Sequence, residues 1–163
     1  MSKNQLQVET IGSELILTRQ FDAPRTKVFA AYTDCKHLNH WWGPRDWSLS
    51  YCKMDFRVGG QWHYCMSGPD GMESWGLTFY KEIKEPELLV YEDFFSDKDG
   101  NKNTSFPSTT VKTEFLENDG KTTVRSTAKY NSPEDLKKVL DMGMEVGIAQ
   151  TLDKLEEYVT AAK

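Results

Sequence analysis

The hydrophobic and polar residues of this chain follow two periods, first that of strands and finally that of a helix. Over residues 12–21 the apolar side chains alternate in part, with Leu15 and Leu17 on one side and Ile16 on the other, which predicts a first strand. Residues 22–34 follow with apolar positions at helical spacing and predict a short helix.

The middle of the chain combines a second short helical segment with a series of strands. Residues 35–42, CKHLNHWW, end at Gly43 and Pro44, which stop a helix. Beyond them, short apolar runs alternate with turn-forming residues, which is typical of an antiparallel meander. We expect strands at 47–56, 61–67, 73–83, 87–95, 109–117 and 121–130.

The last part of the chain changes to the helical period. Ser132 is a favoured N-cap residue, and Pro133 suits the first helical position. From Leu136 to about Thr160 the pattern predicts one continuous helix, long enough to cross a small sheet. Its apolar stripe consists of Ile148, Leu152, Leu155 and Val159.

Strands and helices are segregated along the chain, so the predicted class is α+β. One long helix has to bury its stripe, and the sheet is the only large apolar surface that can cover it. We therefore expect a curved antiparallel sheet wrapped around the C-terminal helix, with two short helices after the first strand. Residues 1–163 should form a single domain.

Composition and charge argue against nucleic acid and a membrane as partners of this chain. The net charge of −5 argues against nucleic acid, because binding to phosphates needs a basic surface. The sequence has no apolar run of about 20 residues, so no membrane span is expected. The N-terminal residues lack the layout of a signal peptide. Three cysteines in no metal-binding spacing suggest reduced thiols, and we expect a cytoplasmic protein.

Aromatic residues make up 12% of the chain and are the first candidates for a ligand site. Trp62, Tyr64 and Met66 share one face of their strand, so they can line an apolar pocket with residues of later strands. In the terminal helix Gly143 and Gly147 are four residues apart, which suggests close approach of the sheet or a ligand on that side. The alternative is that these residues simply fill the core.

The sequence offers little for metal binding or covalent catalysis. His37 and His40 are three residues apart, but no Cys, Asp or Glu is placed to complete a metal site, and no cofactor is expected. His63 and Cys65 lie on the strand face opposite Trp62, so a catalytic dyad facing the pocket is not expected. The residues expected to face inward include no titratable group. General acid–base chemistry by Glu82, Asp93 or Glu114 is an alternative, but carboxylates on strands are usually solvated.

Several motifs, in order along the chain, resemble one protein family. The most specific are WWGP at 41–44, RVGGQW at 57–62 and EIKEPELLVY at 82–91, and the similarity extends over roughly residues 14–160. They resemble the SRPBCC superfamily of START-like and birch-pollen-allergen-like helix-grip proteins. Within it, they are similar to the branch named after the activator of heat-shock-protein-90 ATPase.

This resemblance implies a sheet of about six or seven strands and a deep apolar cavity between the sheet and the long helix. Members of the superfamily bind lipids, sterols, flavonoids and polyketide-like molecules, and a minority are cyclases, aromatases or hydrolases. The expected function is therefore non-catalytic binding of a small apolar or aromatic molecule. A chaperone-interacting module and a cavity enzyme are the alternatives. The expected ligand-binding residues are Trp41, Trp42, Trp62, Tyr64, Met66, Phe79, Phe115, Val124, Met142 and Met144.

Overall fold

The computed structural model describes residues 5–161. These residues form eight strands and four α-helices, with a short 3₁₀ turn at Pro69–Gly71. The strands are β1 Gln7–Ile11, β2 Glu14–Phe21, β3 Ser48–Met54, β4 Gln61–Ser67, β5 Glu73–Lys84, β6 Leu88–Phe95, β7 Thr109–Asn118 and β8 Lys121–Lys129. The helices are α1 Arg25–Tyr32, α2 Cys35–Trp41, α3 Pro133–Leu140 and α4 Met144–Ala161.

All eight strands belong to one antiparallel sheet in the order β1-β2-β8-β7-β6-β5-β4-β3. The helix-grip α+β class expected from the sequence is confirmed, with slightly more strands than the six or seven expected. The extra strand is β1, which pairs with β2 at the sheet edge. Four of its five residues are exposed, so it lacks the alternation of apolar residues that marks a half-buried strand.

The terminal helical region is interrupted, and the prediction of one continuous helix from Leu136 onward is wrong. α3 is capped as expected, with Ser132 Oγ accepting from Asp135 N at 3.1 Å. The chain then turns at residues 141–143, where Gly143 has a φ of +82° that strongly favours glycine. Gly143 therefore ends α3 instead of sharing a helical face with Gly147 in α4.

Two clusters of buried side chains lie between the sheet and the helices. The larger is under α1, α2 and the end of α4, and its fully buried members include Phe21, Phe29, Trp41, Phe115 and Leu155. The smaller lies under α3 and consists of Leu15, Val111, Ala128, Tyr130, Leu136 and Val139. Residues of both clusters line the space that remains between them.

The cysteines differ from the expectation of three reduced thiols. A disulfide joins Cys35 in α2 to Cys52 in β3, whereas Cys65 is a buried free thiol. An odd number of cysteines does not prevent one pair from forming, because α2 packs directly beside β3 in the fold. Disulfides are typical of oxidising compartments, so cysteine usage no longer supports a cytoplasmic location. Within residues 5–161, no helix is long and apolar enough to cross a membrane.

Candidate functional site

A cavity of about 480 Å³ lies between the sheet and the helices. Its wall is formed by strands β2 and β4 to β8, by the ends of α1 and α2, and by α3 and α4. Most of the lining side chains are apolar or aromatic, which is typical of small-molecule sites of this volume.

The structure brings seven of the ten predicted site residues together on this cavity. They come from three places: the end of α2, strands β4 and β8, and the region where α3 gives way to α4. They are Trp41, Trp42, Tyr64, Met66, Val124, Met142 and Met144. Their role in ligand binding stays a prediction.

The other three predicted residues do not line the cavity. Trp62 lies behind the wall, stacked on Tyr64 with ring centroids 4.2 Å apart. Phe115 is fully buried against Phe29, because α1 covers its part of the sheet. Phe79 lies on the opposite face of β5 from Tyr80, beside a separate surface depression.

The WWGP segment forms one rim of the cavity. Trp41 is fully buried and donates its indole N–H to Ala31 O at 3.0 Å, which anchors α2 on α1. Trp42 faces the cavity and packs edge-on against Trp62 and Tyr64, at centroid distances of 5.0 and 5.7 Å. Both adjacent tryptophans therefore line the cavity, and Trp41 is at the same time part of the fully buried core.

Side chains of helix α4 form hydrogen bonds with the backbone at the end of the WWGP segment and just after it. Lys154 Nζ donates to Gly43 O at 3.0 Å, and Gln150 Oε1 accepts from Arg45 N at 3.1 Å. A Cβ added at Gly147 would lie 3.3 Å from Pro44, so the glycine permits this close contact. The sequence predicted that the sheet or a ligand approaches Gly147, whereas the neighbour in the structure is Pro44 of the WWGP segment.

Asp93 is the main functional candidate that the sequence reasoning missed. Its side chain lies on the cavity wall, and Thr78 Oγ1 donates to Asp93 Oδ1 at 2.6 Å. Burial raises the pKa of this carboxyl to about 6, against the lowering effect of the Thr78 hydrogen bond. The expectation that no titratable group faces inward is therefore wrong. The signal was available, because Asp93 is two residues after Tyr91 and shares its strand face.

Tyrosines surround this carboxylate. Burial raises the pKa of Tyr64, Tyr80, Tyr91 and Tyr130 above the ordinary value, and the negative charge of Asp93 raises each of them further. These phenols therefore stay neutral around physiological pH.

Arg19 is the second charged residue on the cavity wall. Its guanidinium donates to Asp153 Oδ1 at 2.7 Å and to Glu156 Oε1 at 3.3 Å, and both carboxylates belong to α4. The residue is 5% exposed, and its Nε has no partner among the described residues. Arg19 thus fastens α4 to β2, with its charge balanced by the helix.

The histidines have local partners. His37 Nδ1 is 2.7 Å from the hydroxyl of Tyr158, and His40 stacks on the same ring. His63 lies outside the cavity wall as expected, with Nε2 3.0 Å from Asp97 O. In the part of the chain that the structure describes, no group of three or more His, Cys, Asp or Glu residues could hold a metal ion.

Comparison with known structures gives close overall matches. A crystal structure of protein Ms6760 from Mycobacterium smegmatis is 33% identical, with a TM-score of 0.88 over 96% of this chain and 98% of that one. A solution structure from Staphylococcus epidermidis is 32% identical, with a TM-score of 0.84 over 96% of this chain and 95% of that one. The AHSA1 protein from Silicibacter pomeroyi shares the fold at 20% identity and a TM-score of 0.72, covering 92% of this chain and 99% of that one.

Comparison with curated proteins gives no match. In the comparison with protein families, residues 22–160 match the model described as activator of Hsp90 ATPase homolog 1-like protein. This match covers most of the chain and agrees with the resemblance found in the WWGP, RVGGQW and EIKEPELLVY motifs. The chain therefore belongs to the family of activator of Hsp90 ATPase homolog 1-like proteins, a helix-grip branch of the SRPBCC superfamily.

Proposed function

We propose that this protein binds a small hydrophobic or aromatic molecule in the cavity between its sheet and α4, without catalysing a reaction. The observation that carries the proposal is the cavity itself, about 480 Å³ in volume and lined mainly by apolar and aromatic side chains. Affinity would come chiefly from burial, at about 25 cal/mol per Å² of apolar surface.

A pair of variants on β8 tests the proposal. Ala128 lines the cavity, whereas Thr127 lies on the opposite strand face and outside its lining. Ala128→Phe should place a ring in the cavity, and Thr127→Phe should leave the cavity open.

The measurement is a thermal-shift screen of flavonoids, sterols and fatty acids, followed by calorimetric titration of the best compound. We expect a dose-dependent rise in Tm for the unchanged protein and for Thr127→Phe, and loss of the rise in Ala128→Phe. Equal binding by both variants would place the ligand elsewhere and overturn the proposal.

A cavity enzyme of cyclase or hydrolase type is the second candidate, and the inward-facing Asp93 favours it, since a raised carboxyl pKa suits an acid or base. Incubation of each bound compound with the protein, followed by mass spectrometry, distinguishes the two functions. Product formation that disappears in Asp93→Asn would replace simple binding by catalysis.

The family description supports a third candidate, a module that acts on a heat-shock-protein-90 type chaperone. Such a module would use an exposed surface and not the cavity. We would measure the ATPase rate of a purified chaperone with and without this protein. Equal stimulation by the unchanged protein and by Ala128→Phe would favour this candidate.

We also propose a cytoplasmic location, and fractionation of expressing cells tests it.

A further inference from the structure

The cavity contains a carboxylate without a protein counter-charge. Within residues 5–161 no Lys, Arg or His forms an ion pair with Asp93, and its one side-chain partner is the hydroxyl of Thr78. Among the residues that the structure describes, Arg19 is the one cation on the cavity wall, and it is already paired with Asp153 and Glu156 of α4. A buried charge is costly unless it is paired, so Asp93 leaves a place for a positive group.

The surroundings of Asp93 also suit a cation. The rings of Tyr64, Tyr91 and Tyr130 line the same cavity, as does the indole of Trp42. The faces of such rings attract ammonium groups through their quadrupole. A carboxylate among several aromatic rings therefore combines the two kinds of contact that recognise an amine.

We propose that the cavity selects aromatic or polycyclic apolar molecules that carry a protonated amine, with the amine donating to Asp93. This inference rests on the proposed ligand-binding function and names its ligand class. The apolar body of the ligand would lie against the wall formed by Met66, Val124 and Ile148. The acidic net charge of −5 would favour the approach of a cation.

According to this proposal, the affinity for an amine depends on pH through the protonation of Asp93. The titratable residues near Asp93 on the sheet are Tyr64 on β4, Tyr80 on β5, Tyr91 on β6 and Tyr130 after β8, all with raised pKa values. Tyr32 at the end of α1 also lines the cavity, and burial raises its pKa, whereas the side chains that α2, α3 and α4 contribute to the wall carry no titratable group. The guanidinium of Arg19 on β2 is the charged group on the opposite part of the wall and is paired with Asp153 and Glu156. An alkylamine also stays protonated below about pH 9. Protonation of Asp93 should therefore weaken amine binding as the pH falls through about 6.

The test compares naphthylethylamine with naphthylethanol, which have similar size and differ in charge. Calorimetric titration at about pH 7.5 should show the amine binding at least about tenfold more tightly than the alcohol. At about pH 5 the preference should shrink to about twofold or less, since Asp93 is then mostly protonated. At about pH 6, amine binding should also release protons, seen as a dependence of the measured heat on the buffer.

Two variants complete the test. Asp93→Asn keeps the shape of the side chain and should bind both compounds about equally at every pH. Glu92→Gln is the matched control, because Glu92 is the adjacent residue, lies outside the cavity and pairs with Lys81 at 3.2 Å. It should keep the full preference for the amine. The pH series of the unchanged protein gives the same information if Asp93→Asn fails to fold.

The outcomes separate this inference from the function on which it rests. If the alcohol binds as tightly as the amine at about pH 7.5, cavity binding stands and the choice of an amine is wrong. If Asp93→Asn keeps the preference, Asp93 is not the counter-charge. If neither compound binds while flavonoids or sterols do, only the amine proposal fails. If nothing in either panel binds, both proposals fail.

Discussion

Asp93 carries a carboxyl group on a sheet face whose other side chains are mostly apolar or aromatic. Its folded-state pKa of about 6 lies above the ordinary 3.8, so the folded protein holds this proton more tightly than the unfolded chain. A group whose pKa is raised on folding contributes its full stabilisation when the pH is below the pKa of the unfolded state. This stabilisation is lost as the pH rises through the pKa of the folded state. Around neutral pH, a charged Asp93 therefore lowers the stability of the ligand-free fold.

Asp93→Asn should consequently stabilise the ligand-free protein above about pH 6. A rise in pKa from 3.8 to about 6 corresponds to at most about 3 kcal/mol. Urea unfolding between about pH 4 and pH 8 should show a difference from the unchanged protein that grows with pH and then levels off. For the control Glu92→Gln, the difference in free energy of unfolding from the unchanged protein should not increase with pH. If the difference for Asp93→Asn does not change with pH, the charged form of Asp93 is not destabilised by burial.

Gly76 is a second residue that shapes the cavity, because it leaves space for the ring of Tyr64. It pairs with Tyr64 across β4 and β5, and a Cβ there would overlap with the Tyr64 ring at Cζ. The absence of a side chain at Gly76 therefore lets the Tyr64 ring lie flat on the sheet and leaves the cavity open.

Gly76→Ala should push the Tyr64 ring into the cavity and lower the free energy of unfolding by about 1–3 kcal/mol. It should also weaken binding of any cavity ligand. The matched comparison is Gly76→Ala combined with Tyr64→Leu, where removal of the ring should recover part of the lost stability. Chemical unfolding of the single and double variants checks this. Strictly additive effects would show that the ring is not displaced.

At the scale of elements, the Cys35–Cys52 disulfide joins the helix that carries Trp41 to the edge strand β3. The cross-link spans 17 residues of sequence, and it restricts the unfolded chain over that loop. It also holds the start of the WWGP rim against the sheet.

Reduction of this disulfide should lower the free energy of unfolding by about 3 kcal/mol, the amount expected for a loop of this length. Urea unfolding with and without a phosphine reductant measures the change. The variant Cys35→Ser with Cys52→Ser should match the reduced protein and should not respond to the reductant. A response of the double variant would mean that the reductant acts elsewhere.

The break between α3 and α4 is also an element-scale feature with a local cause. A helical pattern continues through Asp141 and Met142, but Gly143 adopts a positive φ and ends α3. Met142 and Met144 then flank the turn at the cavity rim and do not fill a helix interior. A straight helix would have placed them on different faces.

At the scale of the whole molecule, periodicity and turn chemistry were enough to predict an α+β fold with a curved antiparallel sheet around the C-terminal helical region, and the family resemblance supplied the helix-grip class. The alternation that places Tyr64 and Met66 inward also predicted cavity residues correctly. Periodicity within one segment cannot show which other elements of the fold pack against that segment. Phe115 faces inward but is covered by α1, and β1 pairs at an edge without an apolar face.

The remaining errors share a physical origin. The charge of Asp93 suggests exposure to solvent, although the position of Asp93 in its strand places it on the cavity wall. The odd number of cysteines suggests reduced thiols, although distance in the fold decides that Cys35 pairs with Cys52. In both cases the three-dimensional neighbours overrule a rule based on residue type.

The aromatic series Trp41, Trp42, Trp62 and Tyr64 has one more consequence. Successive rings lie 5.4, 5.0 and 4.2 Å apart between centroids, and Trp42 and Tyr64 also line the cavity. At such separations the electronic transitions of the rings couple, so the near-ultraviolet circular dichroism of the protein depends on their relative orientation. A molecule entering the cavity would therefore contact members of this coupled set, since Trp41 lines the cavity as well. The tryptophan-rich segment thus gives the protein an optical reporter of occupancy that needs no added label.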